Sequence, residues 1–154
     1  MGEIGVFDRQ GGLTSPVRPF PAEYLQFVEL FNAGKYWESH EVLEGPWRKN
    51  RSPFYRGMII YASGFVHAQR GNPRGVYKQL RKAERYLHPY RPYYMGVDVD
   101  RILAHAASCI QLVGGPDPPQ GDALRRSIPF ERLELDASLV RGDEPEFFDE
   151  TTGG

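Results

Sequence analysis

One cysteine among 154 residues, Cys109, excludes an internal disulfide and fits a reducing compartment. Its place between Ala106 and Val113 on an apolar helix face reads as a small buried hydrophobe rather than a nucleophile. Long apolar runs are missing as well. The longest, residues 58–66, is far too short to span a bilayer, so no membrane association is expected. The chain does not open on a basic segment followed by an apolar one, so no secretory signal is read and the expected location is cytoplasmic.

Net charge is close to absent, at −1, but its distribution is not even. Residues 1–47 carry three basic and seven acidic side chains, residues 48–91 eleven basic and one acidic, and residues 92–154 five basic and twelve acidic. A basic block flanked by acidic segments pairs within the chain or offers a surface to an anionic partner. The length suits one domain with one core. Thirteen prolines and seventeen glycines mark ends and loops rather than wholesale disorder.

Residues 1–20 lack periodicity and read as an irregular arm. A first helix is expected from Pro21 to about Ala33, stopped by Asn32-Ala33-Gly34. A second spans Lys35 to Gly45, where Gly45-Pro46 should kink or end it. Ser52-Pro53 caps and opens a third, which runs to Arg70 and is apolar or aromatic around most of its circumference. A fourth covers Pro73 to Leu87 and a fifth Val99 to Leu112, the latter capped by Asp98 or Asp100. Residues 114–154 read as a Gly/Pro-rich acidic tail in which Ile128, Phe130, Leu133 and Leu135 dock as an extended piece and the end from Arg141 is mobile. No convincing strand pair appears. The fold class is therefore all-α, a compact bundle of about five helices over residues 21–113.

The densest chemistry lies between Phe31 and Arg48, which includes Tyr36, Trp37, His40, Glu41, Glu44 and Trp47. At about 100° per residue, Tyr36, His40, Leu43 and Trp47 share an apolar sector, and Trp37, Glu41, Glu44 and Arg48 share the next. The order Phe31-Asn32-x-Gly34-x-Tyr36, His40-Glu41-x-Leu43-Glu44-x-x-Trp47-Arg48, then Gly57-x-Ile59, Ala62, His67, Arg70-Gly71-Asn72 and Gly75 resembles domain-of-unknown-function family 309. The likeness covers roughly residues 24–87. It departs from the family pattern at Ser39, where Ala is usual, and at Ile60, where Gln is frequent. The resemblance implies a small helical bundle of unassigned function.

Three functions compete. The leading one is a non-enzymatic ligand- or protein-binding module, with His40, Glu41, Glu44, Arg56, His67 and Arg70 clustered between helices two and three. Trp37, Arg48, Arg56, Tyr61 and Arg70 are its binding candidates. Its partner is a small anionic ligand or a protein, a second copy included. The second is a hydrolase-type enzyme with catalytic candidates His40, Glu41, Glu44 and His67. Glu41 or Glu44 is then the base, His40 the proton carrier, and Arg56 or Arg70 the anion holder. In a metal-dependent form His40, Glu44 and His67 hold Zn²⁺ or Fe²⁺, although His-Glu-x-x-Glu lacks the second histidine of the zincin motif. No cofactor is assigned. The third is a nucleic-acid binder using Arg74, Lys78, Arg81, Lys82 and Arg85 with Tyr77 and Tyr86 on helix four.

Overall fold

The computed structural model describes residues 20–139 and residue 141. The expected arm, apart from Phe20, and the expected mobile end after Arg141 lie outside the described residues. Six α-helices are found among the described residues: α1 Ala22–Asn32, α2 Tyr36–Asn50, α3 Pro53–Gln69, α4 Pro73–Leu87, α5 Val99–Val113 and α6 Gly121–Ser127. The class is all-α. No described helix is long and apolar enough to cross a membrane.

The helix starts follow the sequence signals. Ser52 accepts from the Tyr55 amide at 3.1 Å, Asn72 from Gly75 at 3.2 Å, and Asp98 from Arg101 at 3.0 Å. Each side-chain oxygen satisfies a donor that the first turn leaves open. Pro53 and Pro73 occupy first helical positions, where the missing N–H costs nothing.

Twelve of the seventeen α3 residues are buried, which makes α3 the central helix. It packs against α2 on one side and α4 on the other. Gly57 and Gly64, seven residues apart and so on one face, let α4 approach closely. A Cβ at Gly57 would lie 2.6 Å from a Leu87 methyl carbon, and one at Gly64 would lie 2.5 Å from a Leu80 methyl carbon. The rest of the core is aromatic. Phe31 stacks on Tyr61 with centroids 5.5 Å apart, and Phe65 meets both rings edge-on at 5.9 and 5.1 Å. Tyr24 stacks on Tyr55 at 5.8 Å and donates its hydroxyl to the Met95 carbonyl at 2.8 Å.

Three features differ from the sequence expectations. First, α2 does not end at Gly45-Pro46 but continues to Asn50. Pro46 forfeits one ladder bond, at a cost of about 3 kcal/mol in a helix interior, and its burial returns part of that loss. The helix stops instead at Arg51, which turns left-handed with φ 55° and donates its N–H to the Trp47 carbonyl. Second, a two-residue antiparallel pair joins β1 Tyr93–Tyr94 to β2 Val97–Asp98. Third, α6 stands within the segment expected to be irregular.

Polar bonds hold α6 and the following strap in place. The Gly121 amide donates to the Gly71 carbonyl at 3.0 Å, and Arg125 donates to the Gln69 carbonyl at 2.9 Å. Leu124 supplies the one buried residue of α6. Beyond it Ile128 and Leu133 are buried and Leu135 is half-buried, whereas Phe130 is 42% exposed. The Asn32 side chain brackets Leu133, donating to its carbonyl at 2.8 Å and accepting from its amide at 2.7 Å.

Candidate functional site

The buried face of α2 is Tyr36, Ser39, Leu43 and Pro46, which recur at helical spacing and turn Trp37, Glu41 and Arg48 outward. Between the two faces His40 keeps a side chain 18% exposed. Its Nε2 lies 3.5 Å from Glu44 and its Nδ1 3.8 Å from Glu41, and Glu44 also accepts from Arg48 at 3.1 Å. All these partners belong to α2 itself. Pairs of this kind at i,i+4 contribute about 0.2–0.5 kcal/mol each.

Arg56 and Arg70 take other partners. The Arg56 guanidinium carbon lies 4.7 Å above the Trp47 ring, which Arg51 also approaches at 4.6 Å. Arg70 lies 5.8 Å from the Trp37 ring, whose centroid is 5.2 Å from that of His40. The planar guanidinium stacks on the indole rather than crossing to the carboxylates, which already have partners on their own helix. The expected cluster of Glu41 and Glu44 with Arg56 and Arg70 is therefore replaced by two tryptophan–arginine stations, one near each end of α2. Trp37 is half exposed, and Trp47 is half-buried rather than a core residue.

His67 turns away from His40. It covers Gly75 at the start of α4, where any side chain would collide with its ring, and Asn72 Nδ2 lies 3.3 Å from its Nδ1. The amide oxygen of Asn72 is engaged as the α4 cap, so its nitrogen donates and Nδ1 must be unprotonated. His40, Glu44 and His67 thus do not converge. Among the described residues no three His, Cys, Asp or Glu side chains are grouped to hold a metal ion.

Burial, and secondly the Arg70 charge, hold the His67 pKa below its ordinary 6.5. The unfolded chain therefore takes up this proton more readily than the folded one. The stability associated with His67 is fully present above 6.5 and declines as pH falls below it. Melting temperatures measured between pH 8 and pH 5 are expected to show an acid-side loss that is reduced in His67→Gln. Identical losses in the two proteins would contradict this.

Tyr61, one of the binding candidates, turns into the core. It is buried, and its hydroxyl lies 2.6 Å from His105 Nδ1 on α5. His105 Nε2 lies 2.5 Å from the Pro129 carbonyl, which can only accept. Nε2 therefore carries the proton, and Nδ1 accepts from Tyr61. The chain of bonds ties α3, α5 and the strap after α6 together inside the core. Cys109 lies beside it, 3.7 Å from His105 Nε2. Burial pushes the Cys109 thiol up to about 12, which leaves it unreactive near neutrality.

His105 was not singled out from the sequence. The available signal was its position on the inward α5 stripe with Ile102, Ala106 and Cys109. A cavity of about 130 Å³ opens over Tyr61, with Arg101, Glu131 and Asp136 on its walls. A shallower cleft of about 330 Å³ lies over Phe31, Asn32, Gly34 and Tyr36, with Phe130 stacked on Tyr36 at 5.8 Å.

On α4, Arg74, Lys78, Arg81 and Arg85 are exposed, while Lys82 and Tyr86 are half-buried. Arg81 pairs with Glu84 at 3.6 Å and donates to the Tyr77 hydroxyl at 3.3 Å.

The Uncharacterized protein YpuF of Bacillus subtilis (strain 168) is 29% identical over 91 residues, 54% of this chain and 52% of the relative. The chain therefore spans about half the length of that relative. The profile of the family described as Domain of unknown function (DUF309) matches residues 24–79, from α1 into α4, so the resemblance carried by the Phe31–Arg48 run and the α3 motif holds over that helical segment.

Proposed function

We propose that this chain is a non-catalytic protein-binding module and that the outer α2–α3 face is its contact surface. The carrying observation is Trp37, a large aromatic 50% exposed in the first turn of α2 beside the exposed Glu38 and Glu41, with Arg70 poised over its ring. Arg70 has no carboxylate within ion-pair reach among the described residues. Tryptophan and arginine are the side chains that dominate protein interfaces, because one supplies rigid apolar area and the other planar hydrogen bonding. Trp37 and Trp47 are ten residues apart, roughly 15 Å along the helix axis. Two stations at that separation fit a polypeptide better than a small molecule.

The partner then supplies an apolar patch to Trp37 and a carboxylate to Arg70. Glu38, exposed beside Trp37, is the place to test it with a photo-crosslinking residue in the intact protein in cells. A discrete adduct is expected, lost on Trp37→Ala or Arg70→Glu and retained on the surface control Arg126→Ala. An adduct indifferent to Trp37→Ala, or none, would overturn the proposal. Because Trp37 is half exposed, its removal should leave the melting temperature nearly unchanged, which separates lost binding from lost folding.

A further inference from the structure

The Phe31-Asn32-x-Gly34-x-Tyr36 run, which the Trp37 surface leaves unused, lines the cleft of about 330 Å³ together with Phe130 and Arg132 of the strap. Both parts are clamped by the fold itself. Gln69 donates to the Gly34 carbonyl at 2.8 Å, which ties the α1–α2 turn to the end of α3, and the Asn32 bracket on Leu133 holds the strap against α1. Small-molecule sites are commonly preformed concavities of about 300–1,000 Å³ with apolar walls and a few polar groups. Here the walls are rings. Phe31 and Tyr36 meet edge-on with centroids 4.9 Å apart, and Phe130 lies nearly parallel to Tyr36, with 19° between the planes. Phe31 and Tyr36 are buried, whereas Phe130 is one of three large apolar side chains left exposed among the described residues. A flat ring extends such a series by offset stacking, which a saturated group of equal volume does not.

Two polar groups at the cleft have no use in the fold. Tyr36 is 5% exposed, yet its hydroxyl has no hydrogen-bond partner among the described residues. Burial pushes its pKa up to about 12, so near neutrality the hydroxyl keeps its proton and is a donor. Buried hydroxyls are ordinarily paired, and an acceptor in the cleft would meet that need. Arg132, exposed at the rim, has no carboxylate within ion-pair reach among the described residues. Glu131 also lines the cleft, but its carboxylate is paired with Arg101 at 3.4 Å. A phenol and a guanidinium are donors that one carboxylate can satisfy together. We propose that this cleft binds a small aromatic carboxylate, with its ring among Phe31, Tyr36 and Phe130 and its carboxylate held by Tyr36 and Arg132. A shallow cleft suits a molecule of one or two rings lying flat. The inference goes beyond the Trp37 surface and does not rest on it.

The probe is naphthoate, titrated into the full-length isotope-labelled protein and followed by amide chemical shifts. The amides of Gly34, Tyr36 and Arg132 are expected to shift together and to saturate. Naphthamide keeps the rings without the charge, and decalincarboxylate keeps the charge without a flat ring. Each should bind about tenfold more weakly than naphthoate, or worse. Tyr36→Phe retains the ring and removes only the hydroxyl, and Arg132→Ala removes an exposed charge, so both proteins should fold. Each change should weaken naphthoate about tenfold, and Arg132→Ala should leave naphthamide unaffected. Trp37→Ala and the surface control Arg126→Ala should bind naphthoate as the parent does. Absence of a saturable shift at these amides, or equal binding of naphthoate and naphthamide, would overturn the proposal. So would an affinity unmoved by Tyr36→Phe or by Arg132→Ala in a protein with unchanged circular dichroism. Any of these failures leaves the cross-linking result at Glu38 untouched, and loss of that adduct leaves naphthoate binding untouched.

Discussion

Gly71→Ala is expected to release α6 from the α3–α4 turn and to be among the most damaging single substitutions in this chain. Gly71 has φ +72°, and a Cβ there would lie 2.5 Å from the Gly121 Cα and 2.8 Å from its nitrogen. A left-handed non-glycine residue costs about 1–3 kcal/mol. Overpacking adds typically about 1–3 kcal/mol, and here the obstacle is backbone, which cannot rotate aside as a side chain can. The same movement stretches the Gly121-to-Gly71 hydrogen bond and draws Arg125 away from the Gln69 carbonyl. Thermal unfolding should show the loss, and amide exchange should show where it falls. The Gly121 amide is expected to lose protection disproportionately, while amides in the middle of α3 follow the global change. A melting temperature within a degree or two of the parent, with Gly121 still protected, would refute the close contact.

Phe65→Ala should cost about 3–5 kcal/mol, the range for removing a buried aromatic without collapse of the space it leaves. Phe65 is fully buried and touches a ring on every side: Phe31, Tyr36, Tyr61, Phe130 and the stacked imidazole of His105 at 5.2 Å. These neighbours come from α1, α2, α3, α5 and the strap, so they cannot all move inward together. Denaturant unfolding gives the comparison. A loss below about 1.5 kcal/mol, the ceiling for a well-tolerated hydrophobic swap, would mean that this aromatic layer repacks freely.

The first five helices were legible because their punctuation is local. Ser52-Pro53, Asn72-Pro73 and Asp98 announce starts through side chains that bond within three residues, and Asn32-Ala33-Gly34 announces a stop. What escaped depended on distant partners. Residues 121–127 contain one large apolar side chain, Leu124, so no periodicity marks α6, which is held by carbonyls fifty residues away in the α3–α4 turn. At Pro46 the helix does not end, because a propensity argument omits what burial returns, although the ladder still loses its rung there.

The candidate site was legible in composition and less so in pairing. Arg56, His67 and Arg70 share one α3 stripe, which is half-buried or exposed along its length. Helical spacing fixes the stripe but not the direction in which each long side chain leans. Arg56 and Arg70 found tryptophans on α2, while His67 found the space above Gly75 on α4. Tyr61 was misplaced for the same reason, since its partner His105 is 44 residues away.

The break that Pro46 makes in α2 has a mechanical consequence. The ladder is continuous from Tyr36 to Gly45 and loses a rung between Pro46 and the Val42 carbonyl, so the helix is not a uniform lever. Trp37 and His40 sit on the stiff arm, and Trp47 with the left-handed Arg51 sits on a short second arm beyond the missing rung. A load applied to one arm bends the joint before it displaces the other. Trp37 and Trp47 therefore stand on two arms of one helix separated by a missing rung, not on one uniform rod.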